Sequence, residues 1–393
     1  MNTFLTAFND TEIAFISKTD KELKRARFLF RMMAITWLVN LGKKLLGFAL
    51  KVGFPVNWAV KPTIYHHFVG GSSLGECAPA VLKQSQYSVK SILDYSVEGN
   101  NDPAGIQRTL DETLRSIVNA SQDENIPFAV FKPTAFASHV LLENASPGKP
   151  LNEMLSIEYE NFKSRIEILC SEAYRLKVPL MIDAEDSWYQ HLVDETVENM
   201  MQKYNTREAI VFNTLQMYRH DRLQYLKDSI ARARKGNYRM GIKFVRGAYM
   251  EKERERAAVM GYASPIQPDK KATDLAFNEA MLISLDNLDI MDLFCGSHNE
   301  ESNLLLAREM DSRGIARDDK RIWFAQLYGM SDHISYNLAS QGFNVAKYVP
   351  YGPVKSVMPY LLRRAEENTS IAGQTSRELR LLQAECKRRS KLR

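Results

Sequence analysis

Eight short apolar runs recur along this chain, and each is followed by a charged stretch of helix-forming composition. The runs are Ser91–Val97, Pro127–Lys132, Val178–Asp183, Ala209–Asn213, Met240–Val245, Leu288–Phe294, Ile322–Ala325 and Phe343–Tyr348. They are rich in Ile, Val and Phe, as strands buried on both faces require. After them come Asn101–Asn125, Leu151–Leu176, Trp188–Tyr204, Leu215–Arg234, Glu251–Leu285, Asn299–Ser312, Ser331–Ser340 and Pro353–Asn368, rich in Glu, Lys, Leu, Ala and Arg. Strand–helix alternation implies a parallel sheet. Eight such units predict an α/β fold, a closed (β/α)8 TIM-like barrel. An open doubly wound sheet is the runner-up. It is disfavoured by the count and because no GxGxxG motif opens a helix after any run. Residues 1–85 lack strand alternation and read as helical. The expected organisation is a helical N-terminal region over 1–88, a barrel over 89–375 and a basic tail over 376–393.

Composition narrows the class. The net charge is +5, much of it in Lys387, Arg388, Arg389, Lys391 and Arg393, a terminus expected to be solvated and frayed. So mild a charge gives no reason to expect a nucleic-acid partner. Four scattered cysteines without a CxxC pair fit a reducing compartment. The seven histidines show no metal-ligand spacing, so no metal site is expected, and His66-His67 reads as structural. Asp10, Glu12, Asp20 and Glu22 interrupt any signal peptide. The apolar segment Phe28–Trp58 is broken by Arg31, Lys43, Lys44 and Lys51 into runs shorter than the roughly 18 residues a membrane span needs. It reads as a core helix or as a helix lying on a membrane surface.

In a closed barrel the chemistry sits at the C-terminal ends of the strands. Those ends carry Asp94, Lys132-Pro-Thr134, Asp183-Ala-Glu185-Asp186, Asn213 with Gln216, Arg246-Gly-Ala-Tyr249, Ser297-His298-Asn299, Gln326-Leu327-Tyr328 and Tyr348. Beyond the last run, Tyr360, Arg363, Arg364 and Glu367 fall within two helical turns. Paired arginines bind carboxylate bidentately, although such pairs also occur on solvated helix faces. Together these groups describe a pocket for a small anionic substrate.

Five motifs then resemble those of the proline dehydrogenases. Lys243-Phe-Val-Arg-Gly-Ala-Tyr249 resembles the family's (R/K)LV(K/R)GAY strand. Tyr348-Val-Pro-Tyr-Gly352 with Tyr360–Asn368 resembles its YxPxG…YLxRRxxEN ending. Ser91–Gly99, Gly296-Ser-His-Asn299 and Leu327-Tyr-Gly-Met330 resemble its first, sixth and seventh strands. The resemblance spans about residues 60–370 with the motifs in order. It implies a distorted barrel of the monofunctional type that binds FAD noncovalently. It also implies oxidation of L-proline to Δ1-pyrroline-5-carboxylate, the first step of proline catabolism, with hydride passing from proline C5 to the flavin N5 and electrons then to a membrane quinone.

The resemblance also implies roles. Arg363, Arg364 and Lys132 would hold the proline carboxylate, with Asp183 and Glu367 offsetting their mutual repulsion. Tyr348, Tyr360 and Leu327 would wall the ring, with Ala248 and Tyr249 on its other side. Gln216, Lys243, Arg246, Gly247, Ser297, His298 and Asn299 would contact FAD. Lys243 is arginine in many relatives, so its fork geometry would be lost while a donor is kept. The expected partners are L-proline, a quinone, a separate pyrroline-5-carboxylate dehydrogenase and a membrane surface. The expected location is cytoplasmic, or mitochondrial in a eukaryote, peripheral on the inner membrane. The length leaves no room for a fused aldehyde dehydrogenase domain. Two alternatives stand. Hydroxyproline dehydrogenases carry a smaller residue at the Tyr348 position, and a barrel aldolase would use Lys132 as a Schiff-base nucleophile.

Overall fold

All eight runs form strands in the computed structural model. They are β1 (Val89–Tyr95), β2 (Phe128–Phe131), β3 (Leu180–Ile182), β4 (Val211–Gln216), β5 (Met240–Val245), β6 (Met291–Gly296), β7 (Ile322–Leu327) and β8 (Val345–Tyr351). Their order is a closed parallel barrel, β1 to β8. The structure describes residues 7–51, 56–97, 102–144, 150–370 and 374–392, with only the backbone at 47–51, 57, 59, 366–370 and 374–376. Two compact units divide the chain, one of residues 99–325 and one of 7–98 with 326–393.

The first unit holds β2 to β7. Its strands are buried on both faces, as parallel strands covered by helices must be. Near the strand starts Phe128 packs edge-on against Phe212, Phe294 and Trp323, with centroids 5.6, 5.2 and 5.3 Å away. Local chemistry sets the helix ends. Asp102 caps the helix Pro103–Gln122 by accepting the Gly105 N–H at 2.8 Å, and Pro103 starts it. Asn237, at φ 52°, terminates the helix Arg222–Gly236.

Two helical expectations are corrected here. The stretch Glu251–Leu285 is two helices, Met250–Met260 and Lys270–Leu285. Gly261 ends the first at φ +73°, and Asp269 caps the second through the Ala272 N–H. The stretch Leu215–Arg234 becomes helical only at Arg222, because Leu215 and Gln216 still pair with β5.

The second unit joins β1 and β8 in parallel register, with Ile92 opposite Tyr348. Its core includes Phe15, Phe30, Tyr65, Phe68, Met330 and Leu361. The basic terminus, expected as a frayed end, forms the helix Gln374–Lys391, with Leu381 and Leu382 buried in that core. Arg389 donates to the carbonyls of Phe15 and Lys18 and to Asp20, which ties the helix down. The segment Phe28–Trp58 is partly buried and partly exposed. The helix Asp20–Met33 buries Leu23, Ala26, Phe30 and Met33, while the next helix, Thr36–Lys51, leaves Trp37, Leu41 and Leu45 exposed. Among the described residues no helix is long and apolar enough to cross a membrane.

Candidate active site

In the first unit, the strand ends carry a linked set of polar groups. Lys132 follows β2 and Asp183 follows β3. Lys243, inside β5, donates its Nζ to the Asp183 carboxylate, and the two side chains are 5% and 18% exposed. The sequence motifs assigned Asp183 to the substrate-binding cations and Lys243 to the cofactor; the structure joins the two. Glu185, given no role in advance, accepts from the Thr134 N–H at 3.1 Å and its hydroxyl at 2.6 Å. Burial pushes the Glu185 carboxyl up to about 7, against the pull of Thr134 and Lys132. The sequence signal for it was present: a second carboxyl two positions past Asp183 at a strand end.

Gln216 closes β4. Its Nε2 donates to the carbonyls of Ala184 and Glu185 at 3.3 and 2.9 Å. Its Oε1 is buried and accepts nothing from the described residues. A buried amide oxygen left over in this way is ready to take an N–H from a ligand. Asn213, by contrast, lies inside the strand and donates to Asp194 at 3.0 Å, a structural role.

After β5, Arg246 spends its guanidinium on the protein. It donates to Asp274 at 2.7 Å, to the Ser297 hydroxyl at 2.7 Å and to the Ser302 hydroxyl at 2.9 Å. It also lies 4.5 Å from the Phe277 ring centre. Gly247 sits at φ +125°, and a Cβ there would meet the Tyr218 ring at 2.5 Å. Only glycine fits that backbone. Ala248 is exposed and Tyr249 half-buried. At the end of β6, Ser297 also accepts from the Asn299 N–H at 3.1 Å. Asn299 caps the helix Glu300–Ser312 by accepting from the Ser302 N–H at 3.0 Å. His298 stands half-buried between them.

In the second unit, Leu327 ends β7 and Tyr348 lies within β8. The Tyr328 N–H donates to the Tyr348 carbonyl at 2.8 Å. The helix Met358–Ser370 carries Tyr360, Arg363 and Arg364. Arg364 is buried, with its guanidinium 5.0 Å from the Tyr360 ring centre, and Arg363 is half-buried. A cation and an aromatic face thus lie together on one turn. The side chain of Glu367 lies outside the described residues.

The profile of the family described as proline dehydrogenase matches residues 77–377. The chain belongs to the proline dehydrogenase family. Among its relatives is the carbapenem antibiotics biosynthesis protein CarD of Pectobacterium carotovorum, 36% identical over 82% of this chain and 83% of that protein. The mitochondrial proline dehydrogenase 1 of Homo sapiens is 37% identical over 65% of this chain and 44% of the human protein. The hydroxyproline dehydrogenase of Xenopus laevis is 31% identical over 98% of this chain and 90% of that protein. The chain therefore spans less than half of the human relative. The barrel also matches the solved proline utilization A (PutA) of Bdellovibrio bacteriovorus, with TM-score 0.73 and 18% identity over 94% of this chain and 40% of that one. At that identity the likeness concerns the fold. The proline dehydrogenase family consists of oxidoreductases, and its barrel is the one described above.

Proposed function

We propose that the protein oxidises L-proline at C5 to Δ1-pyrroline-5-carboxylate with FAD as its cofactor. The observation that carries this reading is the arginine pair, set beside an aromatic ring on one helix in a chain of this family. Proline offers one carboxylate and an apolar ring, so its pocket needs a cation clamp and an aromatic slot. Arg363 and Arg364 take the carboxylate, assisted by Lys132. Tyr348, Tyr360 and Leu327 hold the ring, with Ala248 and Tyr249 on its other side. Asp183 and Glu367 balance the cations. The substrate amine enters neutral, so that its lone pair can form the C=N bond as hydride leaves C5.

The strand-end residues suit a flavin. Gln216 offers a buried acceptor with no protein donor, Lys243 a buried cation, and Gly247 a backbone without a side chain in the way. Arg246 brings positive charge to Ser297, His298 and Asn299, where the phosphate tail would lie. Bound FAD would supply the two-electron acceptor for the hydride and pass the electrons on to a membrane quinone. The protein residues themselves bind, orient and exclude water.

A peripheral membrane contact accompanies this reading. Trp37, Leu41 and Leu45 recur every four residues on one helix and are 67%, 44% and 61% exposed. Lys43 and Lys44 stand beside them, a pattern suited to an interfacial helix. A membrane-bound quinone gives that contact a purpose. The product would pass to a separate pyrroline-5-carboxylate dehydrogenase.

The deciding experiment is an absorbance spectrum of the purified protein with and without L-proline. The expected outcome is a flavin band near about 450 nm that bleaches with proline. A colourless protein, trappable by borohydride with a carbonyl substrate, would overturn the reading in favour of an aldolase using Lys132. Bleaching by hydroxyproline alone would favour the second reading, which rests on the Xenopus relative and is opposed by the bulk of Tyr348.

A further inference from the structure

A second polar cavity, of about 210 Å³, lies wholly within the unit of residues 7–98 and 326–393. Tyr328 lines it, but none of the residues implied to hold proline or FAD does. Four basic side chains, Lys18, Arg25, Lys83 and Lys347, face it against two carboxylates, Glu22 and Asp332.

The inner end is a rigid ionic knot. Asp332 pairs with Lys18 at 2.9 Å and with Lys347 at 2.8 Å. Lys347 is 1% exposed and also donates to the carbonyls of Leu327 and Met330. Its donors are therefore spent on the protein. Burial opposes ionisation of Asp332, yet the two lysines hold its pKa far below the usual range, so it stays charged. His67 donates from Nε2 to the Gly329 carbonyl at 2.9 Å, which leaves Nδ1 as the acceptor of a neutral ring.

The outer end is different. Lys83 pairs with Glu22 at 2.6 Å, on half-exposed side chains. Arg25 lines the cavity without an ion-pair partner among the described residues. Arg25 and Lys61 add to burial in keeping His66 neutral. The cavity therefore carries two more positive charges than negative ones. Its aromatic hydroxyls, on Tyr328 and Tyr336, can donate to an oxyanion.

We propose that this cavity binds a small dianion, a phosphate or a dicarboxylate, held by Lys18, Arg25 and Lys83. The volume is ample for a molecule of that size. Binding neutralises the excess charge and gives Arg25 a bidentate partner. Two residues of the cavity, Tyr328 and Lys347, also touch residues proposed to wall the proline ring. The Tyr328 N–H holds the Tyr348 carbonyl at 2.8 Å, and Lys347 holds the end of β7.

The test is calorimetric titration of the full chain with inorganic phosphate and, separately, with succinate, in a zwitterionic buffer at fixed ionic strength. It needs no turnover, so it succeeds or fails independently of the proline reading. The expected result is saturable binding of at least one anion, weakened about tenfold or more in Arg25→Gln and further in Arg25→Gln with Lys83→Gln. The anion that binds identifies the source. Arg25 is exposed and Lys83 only half-buried, so both variants should fold. Absence of saturable binding for both anions, or equal affinity in wild type and Arg25→Gln, would overturn the proposal.

Discussion

Asp183, just past β3, holds the ammonium of Lys243, which lies inside β5. The pair is asymmetric. Lys243 is almost fully enclosed, at 5% exposure, while Asp183 keeps 18%. Removing one partner of a buried pair strands the other charge, at a cost of about 3–5 kcal/mol when that charge is enclosed.

Asp183→Asn, which takes the carboxylate from the more enclosed lysine, should therefore lower the urea midpoint more than Lys243→Met. The double variant should cost less than the sum of the two singles. Additive single effects, or a milder Asp183→Asn, would remove the asymmetric ion pair from the account.

The proposed clamp makes a kinetic prediction. A charge-assisted hydrogen bond is worth about 1.5–3 kcal/mol. Arg363→Met and Arg364→Met should each raise the KM for proline by roughly 10- to 100-fold. Steady-state kinetics over a wide proline range would show it. An unchanged KM in both variants would sink the clamp.

Tyr348 is nearly buried, at 9% exposure, and is proposed to close the slot around the ring. Tyr348→Ser should raise the ratio of kcat/KM for hydroxyproline over proline by about tenfold or more, since the new space admits a hydroxyl. Competition assays with the two imino acids would measure it, and a constant ratio would move the specificity elsewhere.

His67 supplies a pH prediction. Burial, followed by the nearby Lys18 charge, lowers its pKa to about 3. The folded state thus holds the ring neutral where the unfolded chain, at about 6.5, begins to protonate. Stability from this group is present above that unfolded value and is lost as pH falls toward 3. Its slope reaches at most about 1.4 kcal/mol per pH unit. His67→Gln keeps an N–H donor for the Gly329 carbonyl, and it should flatten the fall in unfolding free energy between about pH 6.5 and 4.5. Parallel wild-type and variant curves would contradict this.

Much of the barrel was legible in the residues. β5 has the bounds its apolar run predicts, because Met240–Val245 is flanked by a helix cap and a glycine turn. The helix break after Met260 was also written there, in Gly261, Pro265, Pro268 and the cap Asp269. A reading by charge and length passed over it. The C-terminal helix was missed for a similar reason. Its charges were counted, but Leu381 and Leu382, which bury it, were not.

The strand-end residues were found by position, whereas their partners were not. Arg246 reaches Asp274 and Ser302, neither of them at a strand end, and Glu185 reaches Thr134, a strand-end residue whose pairing the sequence does not show. Such pairings depend on three-dimensional register, which spacing along the chain does not encode. The cavity around Lys18 and Asp332 was invisible for the same reason, since its walls come from segments far apart in sequence.

One compact unit runs unbroken through residues 99–325, whereas the other is assembled from the two ends of the chain. Arg389 grips the carbonyls of Phe15 and Lys18 across that whole distance. During synthesis the continuous unit can begin folding while the ribosome is still at work. Residues 7–98 must wait, their apolar faces uncovered, until the helix Gln374–Lys391 emerges. A stall before the helix Gln374–Lys391 is made would thus leave residues 7–98 exposed to chaperones and proteases.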